Sequence, residues 1–168
     1  MRYLVVSFLF LSACAPGFKT QNDPRSISGV DPTFAPYVAK YVSYKGHGLY
    51  YDIPIQFADL SGNTVGLCTR WSSGERQIQI DKNYWDNYLD EGERFQTIAH
   101  ELGHCDLNRD HLLDYKNGMP VSLMYPYAFS ISASTIVNYM AELFNPSVST
   151  SITSLASEMD CVQDIEVK

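Results

Sequence analysis

Three of the four histidines of this chain fall within twelve residues, His100 to His111, in the string HELGHCDLNRDH. His100 and His104 stand four positions apart, one turn of a helix, so both imidazoles project from one face and can reach a single ion. A third ligand would complete a catalytic zinc site with one tetrahedral position left for water, whose pKa such a site lowers to about 7. Glu101 lies beside the metal in this arrangement and is placed to take the proton of that water. This is chemistry for attacking a carbonyl. Met124 follows thirteen positions after His111, within Ser122-Leu123-Met124-Tyr125-Pro126. An isolated HExxH string occurs by chance on many helices, where the histidines are surface residues; here the third histidine and the Met-containing stretch accompany it.

HELGH, the downstream histidine and SLMYP together resemble the metzincin clan of zinc metallopeptidases, the last motif being most similar to matrixins. The family pattern is HExxHxxGxxH. This chain departs from it at Leu107, where the family has glycine, and at Asp110, where it has the third histidine. Asn108 tolerates the left-handed conformation best after glycine, and His111 follows it at the offset the family keeps between glycine and ligand. The helix is therefore expected to run one residue longer, with His111 as third ligand. Asp110, as an oxygen ligand or a partner for a histidine, is the alternative. By the resemblance Met124 packs beneath the imidazoles without touching the metal, and Tyr125 or Tyr127 could donate to a developing oxyanion. One Zn2+ is the implied cofactor, and a peptide or protein the implied substrate. An edge strand above the cleft, with Val65 to Thr69 as the candidate, would bind extended substrate backbone as an added antiparallel strand.

These residues need a frame. Asp31 with Pro32 predicts the start of a first helix that ends near Gly46, its apolar positions at Phe34, Tyr37, Val38, Tyr41 and Val42. Ile53 to Leu60, Thr64 to Trp71 and Gln77 to Asp81 read as strands joined by turns at Ser61-Gly62-Asn63 and Ser73-Gly74. A short helical or irregular segment follows around Tyr84 to Leu89. Asp90 and Glu93 form a capping-box signature ahead of the HELGH helix, whose core face is Phe95, Ile98, Ala99 and Leu102. A last helix opens near Ser134 and is stopped by Asn145-Pro146. The expected fold class is α+β: a compact metzincin-like zincin domain with a small twisted mixed sheet, active-site helix, Met-turn and C-terminal helix. It should span residues 31–146, leaving a Ser/Thr-rich tail, 147–168, with no assigned role.

Arg2, the apolar run Tyr3 to Leu11 and Leu11-Ser12-Ala13-Cys14 resemble a bacterial lipoprotein signal with its lipobox. The apolar run is too short for a bilayer, which takes about 20 residues. Residues 1–13 would be the signal peptide, and 14–30 a tether with lipid on Cys14. Ala15 after the cysteine is similar to outer-membrane lipoproteins, which implies an envelope location without fixing the leaflet. The mature 155 residues, with 45% hydrophobic and 13% aromatic residues in the whole chain, suffice for one packed domain. A net charge of −7 argues against nucleic acid as a partner; a monomer is expected.

An exported chain meets an oxidising compartment. By the fold analogy Cys68 lies near the active-site helix, so Cys68 with Cys105 is the favoured disulfide, Cys161 remaining unpaired; Cys68 with Cys161 is the rival. His47 reads as a loop histidine. Two functions of different class remain: a zinc endopeptidase with Glu101 as base, and a non-catalytic envelope lipoprotein whose zinc-stapled fold binds a partner. Hydrolysis of another amide, such as a cell-wall stem peptide, is a third.

Overall fold

The computed structural model describes residues 29–145 and the strand 161–166. The expected signal peptide, Cys14 and most of the tether lie outside the described residues, as does the tail apart from that strand. The architecture is α+β, with four helices and two small sheets among the described residues.

The first helix, α1 (Ala35–Lys45), begins later than the Asp31-Pro32 signal predicts. Asp31 caps a preceding turn instead: its Oδ1 accepts from Thr33 N at 2.8 Å, and Phe34 N donates to Asp31 O at 2.9 Å. Thr33 N satisfies the Asp side chain and a single i→i+3 turn its carbonyl, and the α-helix takes over only after Phe34. Gly46 closes α1 at φ 81°, the left-handed conformation in which glycine carries no Cβ penalty.

Three strands follow: β1 (Ile55–Ala58), β2 (Thr64–Arg70) and β3 (Arg76–Asp81). β3 is central, parallel to β1 and antiparallel to β2, so the sheet is mixed. Ile55, Ile78 and Ile80 point into the core with no exposure. Asp81 ends β3 and caps the short helix α2 (Lys82–Asn87), accepting from Tyr84 N at 2.9 Å. Trp85 of α2 then meets Phe34 edge-on at 5.0 Å, which locks α2 and the start of α1 together.

The long helix α3 (Glu91–Leu107) starts with the predicted capping box: Asp90 accepts from Glu93 N and Glu93 accepts from Asp90 N, both at 2.9 Å. Ile98, Ala99 and Leu102 are fully buried in the core, and Phe95 packs against Tyr44 of α1 with ring centroids 6.1 Å apart. After α3 comes a small hairpin, β4 (Tyr115–Lys116) and β5 (Met119–Pro120). Its two-residue strands are too short to show an alternating pattern, although Asn117-Gly118 is a strong type I′ signal; both residues have positive φ, 53° and 78°. The helix α4 (Ile136–Phe144) closes the core with Met140 and Leu143 and stops at Asn145, as predicted.

The tail supplies the one large departure. Cys161–Glu166 forms β6, antiparallel to β2 on the edge away from β3, in the order β1-β3-β2-β6. Val65 to Thr69 is therefore not an exposed edge, as the family resemblance implied, but an interior strand. The reason is physical: an open row of backbone N–H and C=O groups pairs with whatever strand can reach it, and here the chain itself does.

Candidate metal centre

A helix and the turn that ends it bring the histidines together. α3 carries His100 and His104 one turn apart, both with no exposure. It runs to Leu107, and Asn108 ends it at φ 55°, ψ 33°, in the left-handed conformation. The helix is thus one residue longer than the family spacing, and the chain turns back so that His111, not Asp110, faces the other two. The side chain of Asn108 is fixed by Arg76 Nη1 at 2.7 Å and Arg70 Nη1 at 3.3 Å. Arg76 also donates to Cys105 O, one of the carbonyls that the helix end leaves over.

Ligand nitrogens of His100, His104 and His111 lie within 4.8 Å of one another, so the three can hold one metal ion. His100 Nε2 is 2.9 Å from His104 Nε2 and 3.3 Å from His111 Nε2. The opposite nitrogens decide what this means. His100 Nδ1 is 2.6 Å from Leu123 O, and His104 Nδ1 is 2.6 Å from Arg109 O. A carbonyl only accepts, so each Nδ1 carries the proton and each Nε2 of these neutral rings presents a bare lone pair. Two lone pairs 2.9 Å apart repel unless a cation lies between them. A zinc ion with Zn–N distances of about 2.0–2.1 Å holds tetrahedral nitrogens roughly 3.3 Å apart, so the trio fits it.

Burial keeps these rings neutral. Loss of hydration pushes the His100 pKa down to about 3, against a partly offsetting hydrogen bond to Leu123 O and a further lowering by His111. His104 is lowered well below its ordinary value by burial first and by His100 second. A histidine with a depressed folded pKa binds more protons unfolded than folded, so stability rises with pH between the folded and unfolded values. The metal-free protein should accordingly lose thermal stability as pH falls from about 6.5 toward 3. Calorimetric scans across that range check this, and a flat Tm would contradict a buried neutral pair.

Glu101, on α3 between the two ligands, has no exposure. The backbone of β2 lies directly on its carboxylate: a Cβ added at Gly66 would stand 2.7 Å from Glu101 Oε1. β2 is also tied to α3 by the disulfide Cys68–Cys105, Cα to Cα 5.7 Å, which is the favoured pairing and excludes the rival with Cys161. The bond fixes the strand over the helix turn that carries the ligands.

Beneath the centre, Leu123 and Met124 are fully buried. Met124 Sδ lies against Gly103, on the turn between the two helix ligands; a Cβ there would fall inside the sulfur's contact radius and 3.2 Å from Leu143 Cδ1. Gly103→Ala should therefore cost about 1–3 kcal/mol by overpacking, more than the roughly 1 kcal/mol of helix propensity it gains. A lowered Tm together with weakened metal affinity is the expected result, and an unchanged or raised Tm would refute the tight fit.

A polar network that no local pattern in the sequence announces holds the two loops in register. Glu142 of α4 accepts from Ser122 Oγ and from Arg109 Nη2, each at 2.6 Å. Ser122 Oγ in turn accepts from Met124 N at 3.0 Å, and Leu112 N donates to Met124 O at 2.8 Å. Arg109 Nη1 caps the end of α4 through Leu143 O at 2.9 Å. One carboxylate thus fixes both the loop whose carbonyl orients His104 and the loop whose carbonyl orients His100. The sequence gives little hint of it: Glu142 is the one charged residue of α4, off the helix's apolar stripe, and its buried partners lie far away along the chain.

The remaining candidates stand apart from the trio. Asp110 is exposed and 3.9 Å from Arg70 Nη2. His47 stays in its loop, with Nδ1 2.9 Å from Gly48 O and Tyr50 Oη 3.2 Å from Nε2. Tyr125 is buried in an aromatic cluster, its ring 5.0 Å from Tyr115 and 5.6 Å from Tyr127. No protein-family model, curated protein or solved structure matches the chain.

Proposed function

We propose that this chain is a zinc-dependent endopeptidase of metzincin type, held at the bacterial envelope through lipid on Cys14. The observation that carries the reading is the convergence of the bare Nε2 atoms of His100 and His104 with His111, beside the buried carboxylate of Glu101. His100, His104 and His111 would hold a zinc ion, which would supply Lewis acidity for activating water and polarising a substrate carbonyl. Glu101 accepts the proton of the attacking water and returns it to the leaving amine. His100 and His104 stay neutral, oriented by the carbonyls of Leu123 and Arg109. Met124 and Gly103 give the ligand face a dry floor, and the Cys68–Cys105 bond keeps β2 over it.

The second reading, a zinc-stapled fold that binds a partner without catalysis, is favoured by the lack of any exposure at Glu101, His100 and His104. The retained glutamate speaks for the first, because a purely structural zinc site has no use for a base. The experiment that separates them is cleavage of a diverse peptide library by the folded, zinc-loaded protein next to its Glu101→Ala variant. Cleavage by the parent alone supports the peptidase; binding of zinc without cleavage of any peptide supports the binding protein.

A further inference from the structure

The outer edge of β2 is occupied at the point where it crosses the candidate active centre. Gly66, whose backbone abuts the Glu101 carboxylate, pairs with Ile165 of β6. Cys68, bonded to Cys105, pairs with Gln163, and Leu67 between them with Asp164. Residues 163–165 thus run alongside the part of β2 fixed over the Glu101–Cys105 turn, and β6 packs against α3 as well as β2. The second observation is burial. Glu101, His100 and His104 have no exposure, although a hydrolytic centre must admit its substrate.

We propose that Cys161–Glu166 is an intramolecular stand-in for peptide substrate, which holds the docking edge of β2 and keeps the centre latent until another strand displaces it. The inference rests on the peptidase reading. Strand addition gains most of its affinity from main-chain hydrogen bonds, so one extended segment can replace another with little regard to sequence. Substrates are then extended peptides that add antiparallel to Gly66–Arg70, in the sense β6 already adopts. The tail has one advantage over them. A tethered segment competes at an effective concentration on the order of millimolar, so micromolar peptide gains entry only when the tail is released or drawn away.

The test uses the full chain, zinc-loaded, with the double substitution Gln163→Pro/Asp164→Pro. Successive strand residues direct their N–H groups to opposite sides, so one of the two prolines removes a donor that faces β2. Two quantities are read: cleavage of a peptide library, and hydrogen exchange of the Val65–Thr69 amides. The variant should lose protection along β2 and gain at least tenfold in kcat/KM, mainly through a lower KM, and a synthetic peptide of residues 160–168 should inhibit it. Lost protection with an unchanged cleavage rate would overturn the inference and leave the peptidase reading standing, and unchanged protection would overturn it too, because β6 would then not be what holds the β2 edge. Loss of protection with no cleavage by either form would overturn the peptidase reading and this inference with it. Should the prolines prevent folding, seen as lost zinc stoichiometry, the same comparison is made on folded protein before and after cutting a specific protease site inserted between Ser149 and Thr150. An unchanged rate after the cut tail has dissociated would again refute latency.

Discussion

Glu101→Ala should lower kcat/KM for peptide cleavage by a factor of 10² to 10⁴, roughly the share that general acid–base catalysis contributes, while zinc still binds at one equivalent. The separation of the two effects follows from the geometry. The ligand nitrogens come from His100, His104 and His111, and the orienting carbonyls from Leu123 and Arg109; none of these contacts involves the Glu101 side chain. Removing the carboxylate deletes the proton acceptor and leaves the metal cradle in place. Kinetics in a background where the tail is displaced, with metal content measured on the same sample, check the expectation. Full activity in Glu101→Ala would mean that another base acts, and loss of zinc would mean that the carboxylate supports the cradle rather than the reaction.

His111→Ala should weaken zinc binding by more than about 100-fold, because outer-shell partners of a metal site already cost 10–100-fold when removed and His111 belongs to the ligand set itself. Asp110→Ala should leave affinity within about tenfold, as expected of an outer-shell change at most: its carboxylate is exposed, lies near Arg70 and is no member of the converging trio. Competition titrations against a chromophoric chelator measure both. Zinc retained by His111→Ala and lost by Asp110→Ala would invert the assignment.

Much of this centre is legible in the sequence. The i,i+4 histidines, the capping box of Asp90 and Glu93, and the αL residue Asn108 are local devices, each set by a few neighbouring side chains, and all three fall where the spacing predicts. The pairing of Cys68 with Cys105 came from the family resemblance and has the geometry of a bond. What sequence left out is nonlocal. Glu142 looks like one more helix glutamate until Ser122, twenty positions earlier, and Arg109 are seen to share it. β6 was out of reach for the same reason: six residues with weak strand character acquire their conformation from the open edge they pair with, and nothing within Cys161–Glu166 announces that partner. Asp31 misled because its capping chemistry is genuine but satisfied one turn early.

The bridging carboxylate of Glu142 has a bearing on how this protein comes apart. Because one side chain on the last helix of the core anchors both loops whose carbonyls orient His100 and His104, the aim of these rings depends on α4 as well as on α3, which carries them. A fragment ending before Ile136 would carry the whole HELGH string and His111 yet lack the carboxylate that holds both orienting loops, so its histidines should be less well ordered than in the whole fold. The functional unit is set by the reach of that carboxylate, well beyond the motif that draws the eye.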